Sequence, residues 1–201
     1  MNSESPRERP IIFGHESVAA ICSGPADRPS KRQTRRVIRS QPPQSWGGVL
    51  RYALATHCPY GQPGDRLWAR ELWWRHTDGR ILRVGEQNDG SDGWRKMSPM
   101  FMPRSASRVT LEILRIGVER LQDISFDDCL AEGVIWTRHW RDVTSEELPQ
   151  GASEGASSDA RAAFRRMWDA VNAKRGFPWE SNPWVWTIEF RRLDHALAAA
   201  G

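Results

Sequence analysis

The segment Ser30–Arg39, SKRQTRRVIR, sets five basic residues around a single threonine. Three kinds of chemistry suit such a segment. Its cations can hold phosphate, they can form a solvated charge run, or they can tune a reactive hydroxyl at Thr34. From Arg28 to Arg39 there are six basic residues and no acid. The remainder of the chain carries 23 basic against 25 acidic residues, so the whole formal charge of +4 originates here. A local excess of this kind attracts anions far better than a diffuse one. Glu71 is the second singular residue. It alternates with Leu67, Ala69 and Trp73 on what reads as an inward strand face, where a carboxylate needs a partner. Arg35, Arg36 or Arg104 would serve as a structural partner. The functional alternative is a hydrogen bond from Glu71 to a nucleobase, with Trp68 or Trp73 stacking on that base. Core packing is the more ordinary use of both tryptophans.

These residues need elements to position them. A length of 201 residues suits one domain with a buried core. PIIFG reads as a short strand. HESVAAIC reads as a helix stopped by Gly24-Pro25. QTRRVIR reads as a strand, and residues 42–62 as irregular chain. Pro63-Gly64-Asp65 forms a turn into one alternating strand through Trp74, with GRILRVG as its hairpin return. Val109, Leu111 and Ile113 alternate within a long strand or bent pair. DISFDDCLAEGV changes period. Ile124 or Ser125 caps a short helix from Phe126, with Asp127 and Asp128 in its first turn and Gly133 just past its end. A later helix carries a stripe of Ala163, Phe164, Met167, Trp168 and Val171. The last strand puts Trp184, Trp186, Ile188 and Phe190 on one face. Residues 1–10 read as a disordered terminus and 193–201 as a tail. The acidic, small-residue span from about 142 to 159 reads as a mobile insertion within a domain over 11–192. The order of elements predicts an α+β fold, a small antiparallel sheet or barrel with packed helices.

Cys22, Cys58 and Cys129 are odd in number and irregular in spacing, which fits a reducing, cytoplasmic setting rather than a disulfide framework. His57 and Cys58 are adjacent but lack the paired spacing of a metal site. The N-terminus has no apolar signal core, and no window of about twenty apolar residues spans a bilayer.

KRQTRRVI, CPYGQPGDRLWARELWW, MPRSASRVTLEI, VERLQDISFDDCLAEGV and NPWVWTIEF together resemble the ASCH domain, in the long form common in phage and prophage proteins. The likeness runs from about Ile11 to Phe190. It implies a PUA-like fold, a small β-barrel with flanking helices and a cleft. It also implies hydrolysis of N4-acetylcytidine, the reaction of small bacterial relatives, without metal or organic cofactor. Other relatives are linked to RNA binding or RNA cleavage, so a non-enzymatic RNA-binding module or a ribonuclease is the alternative. The catalytic positions implied are Lys31, Thr34 and Glu132, with Arg35, Arg36, Trp68, Glu71, Trp73 and Arg104 as substrate-binding candidates. The partner would be a modified cytidine nucleoside or RNA, with no membrane. Arg32 stands where the family has a first threonine, and GPADRPS replaces a tighter turn before Lys31.

The chemistry of that trio is coherent. A threonine hydroxyl attacks only if a neighbour takes its proton. A lysine can do so when burial and nearby cations such as Arg32, Arg35 and Arg36 lower its pKa. Glu132 could protonate the leaving cytosine amine or orient Lys31. An acid at a helix C-terminus opposes the helix dipole, a mild misfit that favours a function. Residues three apart on a straight strand face opposite ways, so Lys31 and Thr34 meet only across a helical turn or bend at 31–34. In the RNA-binding alternative, Arg32, Arg35, Arg36 and Arg39 contact phosphates.

Overall fold

The computed structural model describes residues 5–24, 30–42, 57–88, 90–134 and 154–193, with side chains from residue 160 onward in the last stretch. It is an α+β fold with two sheets. The strands are β1 (Glu8–Ile12), β2 (Gln33–Val37), β3 (Arg66–Arg70), β4 (Trp73–Arg75), β5 (Ile81–Arg83), β6 (Arg95–Met97), β7 (Thr110–Arg120) and β8 (Trp184–Leu193). The α-helices are α1 (His15–Cys22), α2 (Phe126–Ala131) and α3 (Glu154–Asn172). The main sheet has the order β1-β3-β7-β8-β2, and the small one β5-β4-β6. Among the described residues only the β1–β3 pair is parallel. By backbone pairing the main sheet is open, with β1 and β2 at its edges. Arg36 of β2 nevertheless donates from Nη2 to the carbonyl of Ile12 at the end of β1, at 2.7 Å, so one side chain spans the two edges. Among the described residues no helix is long and apolar enough to cross a membrane.

The core lies on both faces of β8. Trp184, Trp186, Ile188 and Phe190 pack with Ile11, Phe13, Val18, Leu67 and Leu111 on one side. Val185 points the other way, into a second cluster of Leu121, Cys129, Phe164, Trp168 and Trp179 beneath α2 and α3. Burial on both faces accounts for the apolar run Trp184–Trp186 at its start, after which polar Thr187 and Glu189 alternate with core residues. The buried stripe of α3 is Ala160, Phe164 and Trp168, four residues apart. Val171 is 53% exposed and does not belong to it. The helix has begun by Glu154, inside the span read as an insertion, while residues 142–153 lie outside the described ones.

Three further readings change. β1 starts at Glu8, within the segment read as disordered, and pairs with β3 from that residue on. The run read as one strand from Arg66 to Trp74 is two strands in different sheets. β3 ends at Arg70, Glu71 and Leu72 break the ladder, and β4 starts at Trp73. Inside that break Glu71 is 1% exposed, and its partner is Arg108, which donates Nε and Nη2 to the two carboxylate oxygens at 2.8 Å each. Arg108 Nη2 also reaches the carbonyl of Val84, so this pair ties the small sheet to the main one. None of the three arginines named from sequence fills that role.

α2 is built as read. Ser125 accepts from the Asp128 backbone N–H and Asp128 accepts from Ser125, a reciprocal capping box. Gly133 follows with φ +81, and a Cβ there would lie 3.1 Å from Lys31 Cβ and 3.3 Å from Ala20 Cβ. Only glycine suits both the left-handed backbone and that close approach.

Candidate functional site

Lys31 sits just ahead of β2, and its backbone is anchored on two sides. Its N–H donates to Ala20 of α1, and the next N–H, of Arg32, donates to Ala131 of α2. The carbonyl of Arg32 accepts from Phe190, so ladder contact with β8 begins before Gln33. No helical turn forms over 31–34, and β2 already runs from Gln33. Strand alternation then decides the site. Gln33 and Arg35 face α2, while Thr34 and Arg36 face the main core.

On the α2 side, β2 with the residue ahead of it, β7 and α2 deliver a cluster of acidic and basic side chains. Lys31 Nζ donates to Glu132 Oε2 at 2.7 Å and to the Glu132 carbonyl at 2.6 Å, across 101 residues of chain. Arg35 Nη1 meets Glu132 Oε1 at 3.3 Å and Gln33 Oε1 at 2.7 Å. Its Nε donates to Glu119 Oε1 at 2.7 Å. Its Nη2 lies 3.1 Å from Asp128 Oδ2, whose other oxygen accepts from Gln33 at 3.0 Å. Lys31 and Glu132 are 2% and 4% exposed. Burial lowers the Lys31 pKa and Glu132 opposes that. The charges of Arg36 and Arg35 add to the lowering, and the net shift is downward. Burial pushes the Glu119 carboxyl up against the pull of Arg35, with Asp128 and Asp123 adding to the rise. For Asp128 burial also pushes up, but Ser125, Arg35 and Gln33 outweigh it and hold it down. The two neighbouring acids are therefore pushed in opposite directions, as environments that divide donor and acceptor roles do. Cys129, beneath α2, is pushed up to about 11, mainly by burial, which makes it a poor nucleophile at neutral pH.

Beside this cluster lies a cleft of about 200 Å³ lined by Gln33, Arg115, Glu119, Asp128, Thr187 and Glu189. A bulge in β7 creates it. The β7–β8 register shifts between Ile113 and Arg115, leaving Leu114 as the extra, exposed residue. Ile113 faces the core, and the shift turns Arg115, Gly117 and Glu119 onto the Arg35 side. Gly117 stands opposite Thr187, where a Cβ would come within 2.5 Å of the Thr187 hydroxyl oxygen. The glycine leaves that hydroxyl its room.

The structure thus brings together Lys31, Glu132 and Arg35. Thr34 is buried at 5% exposure, opposite Ile188, and its hydroxyl makes no hydrogen bond to Lys31 or Glu132. Arg36 lies over the Phe13 ring, 4.9 Å from its centre. The other candidates are elsewhere and engaged. The Trp68 ring carries the Arg70 guanidinium at 4.6 Å. Trp73 is 3% exposed in a small cluster with Met102 and Ala106, and its Nε1 donates to Ser98. Arg104 binds Glu8 at 2.8 Å and the Thr110 hydroxyl at 3.0 Å. Gln33, Arg115, Glu119, Thr187 and Glu189 were not among the sequence candidates. Gln33 and Thr187 were accessible to reading as the strand faces turned away from the core, whereas Arg115 and Glu119 depend on the bulge.

Comparison with family models, with curated proteins and with solved structures finds no match to this chain.

Proposed function

We propose that the protein is a PUA-like, ASCH-type amide hydrolase that removes the N4-acyl group from N4-acetylcytidine-type nucleosides in the cytoplasm. The observation that carries this reading is the buried Lys31–Glu132 pair, assembled from distant parts of the chain and bracketed by Arg35. Burying such charges is costly, and a plain hydrophobic filling would be at least as stable, which favours a chemical use for them. Lys31 has its proton affinity lowered by burial and by the two arginines, as a general base requires. In the proposed reaction a threonine oxygen bonds to the acyl carbon and its proton passes to Lys31. The C–N4 bond then breaks as N4 takes that proton from Lys31, and water hydrolyses the acyl ester to the carboxylic acid and the free threonine hydroxyl. No metal or organic cofactor enters the scheme. The resemblance makes Thr34 the nucleophile, but its side chain faces the main core, on the other side of β2 from Glu132, so Thr187, which lines the cleft beside the cluster, is the competing hydroxyl. The edge-to-edge Arg36 contact supports the barrel-like reading of the main sheet.

The deciding experiment is incubation of the purified protein with N4-acetylcytidine, free and within RNA, followed by product analysis. Release of cytidine and acetate is expected. Absence of turnover on both substrates would contradict the hydrolase reading. The second reading, a non-enzymatic RNA-binding module or a ribonuclease, is favoured by Arg32 and Arg39, the two exposed arginines among the described residues of the basic segment.

A further inference from the structure

The fold does not leave every cation of the basic segment free. Lys31 and Arg35 are buried against carboxylates. In the small sheet the position is reversed. Arg75 of β4 and Arg95 of β6 are register partners, directly opposite each other, and both are exposed. Lys96, next in β6, is exposed too and pairs with Trp74. None of the three has an acidic side chain within ion-pair distance among the described residues. Like charges directly across a ladder repel and weaken it, so an uncompensated arginine pair here carries a cost that an anion would relieve. The acids close by in sequence sit in turns. Asp78 is engaged by Arg80 at 2.7 Å and His76 at 2.8 Å, and is held at about 2, first by the Arg80 backbone N–H. Asp92 precedes β6, with its carbonyl 2.7 Å from His76 Nε2.

Aromatic surface accompanies the charge. Trp73 points into the cluster with Met102 and Ala106, so Trp74 points the other way and is half-buried between Leu82 and Lys96. Each strand has three residues, which makes the sheet about 10 Å long and about 10 Å wide. On so narrow a ribbon, long side chains from both faces come within reach of one chain crossing its end. A backbone of phosphates with accessible base faces uses both features: cations for the phosphates and an indole for stacking.

We propose that the small sheet is a docking surface for single-stranded nucleic acid, with Arg75, Arg95 and Lys96 on phosphates and Trp74 stacking on a base. The surface is separate from the Lys31–Glu132 cluster, and the proposal stands whether or not the chain hydrolyses amides. It is tested by fluorescence anisotropy of the full chain with a labelled single-stranded RNA of mixed sequence over a salt series, with a single-stranded DNA, an RNA duplex and heparin as further ligands. Wild type is expected to bind the single strands more tightly than the duplex and heparin. The triple variant Arg75→Gln, Arg95→Gln, Lys96→Gln is expected to bind at least tenfold more weakly, with a salt slope smaller by about two, since each phosphate contact in a single strand contributes about 0.7. Trp74→Leu, which keeps an apolar side chain and removes the ring, is expected to weaken binding at least about fivefold with little change in slope. The control Arg166→Gln, Lys174→Gln, which removes two exposed cations on and just after α3, is expected to bind as wild type. No binding by wild type at low salt would overturn the proposal. So would an unchanged slope in the triple variant, loss of binding in the control alone, or heparin bound as tightly as RNA with Trp74→Leu silent. Preserved melting temperatures verify that all three variants fold, as their exposed or half-exposed positions lead one to expect.

Discussion

Two regions of this molecule use the same residue types in opposite ways. At the end of α2, Lys31 and Arg35 are almost wholly buried and every charged end meets a carboxylate or an amide. On the small sheet, Arg75, Arg95 and Lys96 are exposed and face one another or solvent. Buried charge must be paired, because desolvation is large and removing one partner strands the other. Exposed charge is screened by water and salt and contributes little to stability either way. The location of a cation therefore says more about its role than its place in a basic run. The run Arg28–Arg39 is the obvious electrostatic feature of the sequence, yet Lys31 and Arg35 at its centre are spent on an internal network, and a second group of exposed cations lies some forty to sixty residues further on.

The contrast breaks first at Glu132. Glu132→Ala should destabilise the fold by about 3–5 kcal/mol, because Lys31 and Arg35 lose a shared carboxylate in a dry site. Urea unfolding measures it, and a loss below about 1 kcal/mol would mean that water enters the cluster freely. Gly133→Ala should cost about 1–2 kcal/mol, from the left-handed backbone and the 3.1 Å approach to Lys31 Cβ. An unchanged urea midpoint there would show that the loop after α2 relaxes without disturbing Lys31. The pH dependence has a definite sign. A lysine whose folded pKa is lowered resists protonation in the fold, so its contribution to stability is present above the ordinary lysine value and is lost as pH falls through the lowered one. Wild type should lose stability relative to Lys31→Met as pH is lowered through that window, and parallel curves would contradict the lowered value. On the small sheet, Arg75→Gln with Arg95→Gln should shift stability by no more than about 0.5 kcal/mol. A loss of several kcal/mol would mean that those arginines hold the sheet together.

Much of this was legible in the residues. The α2 signals, Ser125, Asp128 and Gly133, act within a few positions, and local chemistry of that kind is readable. The alternation of Trp184, Trp186, Ile188 and Phe190 gave the core face of β8 and, by subtraction, the face that carries Thr187. The meeting of Lys31 with Glu132 was expected from the resemblance, and the geometry agrees. Thr34 could not be placed without knowing whether a turn forms at 31–34. Extended pairing with β8 begins at Arg32, and that is a tertiary fact. The break at Glu71 and Leu72 was hidden because alternation continues across it. The Leu114 bulge inverts the phase of β7, so the period that located Ile113 misplaces Arg115 and Glu119. The partner of Glu71 is Arg108, which comes close only because the chain folds back through the whole small sheet.

The central claim, that Lys31 transfers a proton in an amide-cleaving site, meets its most direct test in Lys31→Arg. Arginine keeps the charge and can still donate to Glu132, but it stays protonated at working pH and cannot accept a proton. Turnover of N4-acetylcytidine should fall roughly 100- to 10,000-fold while binding of the nucleoside changes little. Turnover by Lys31→Arg close to that of wild type would contradict the account.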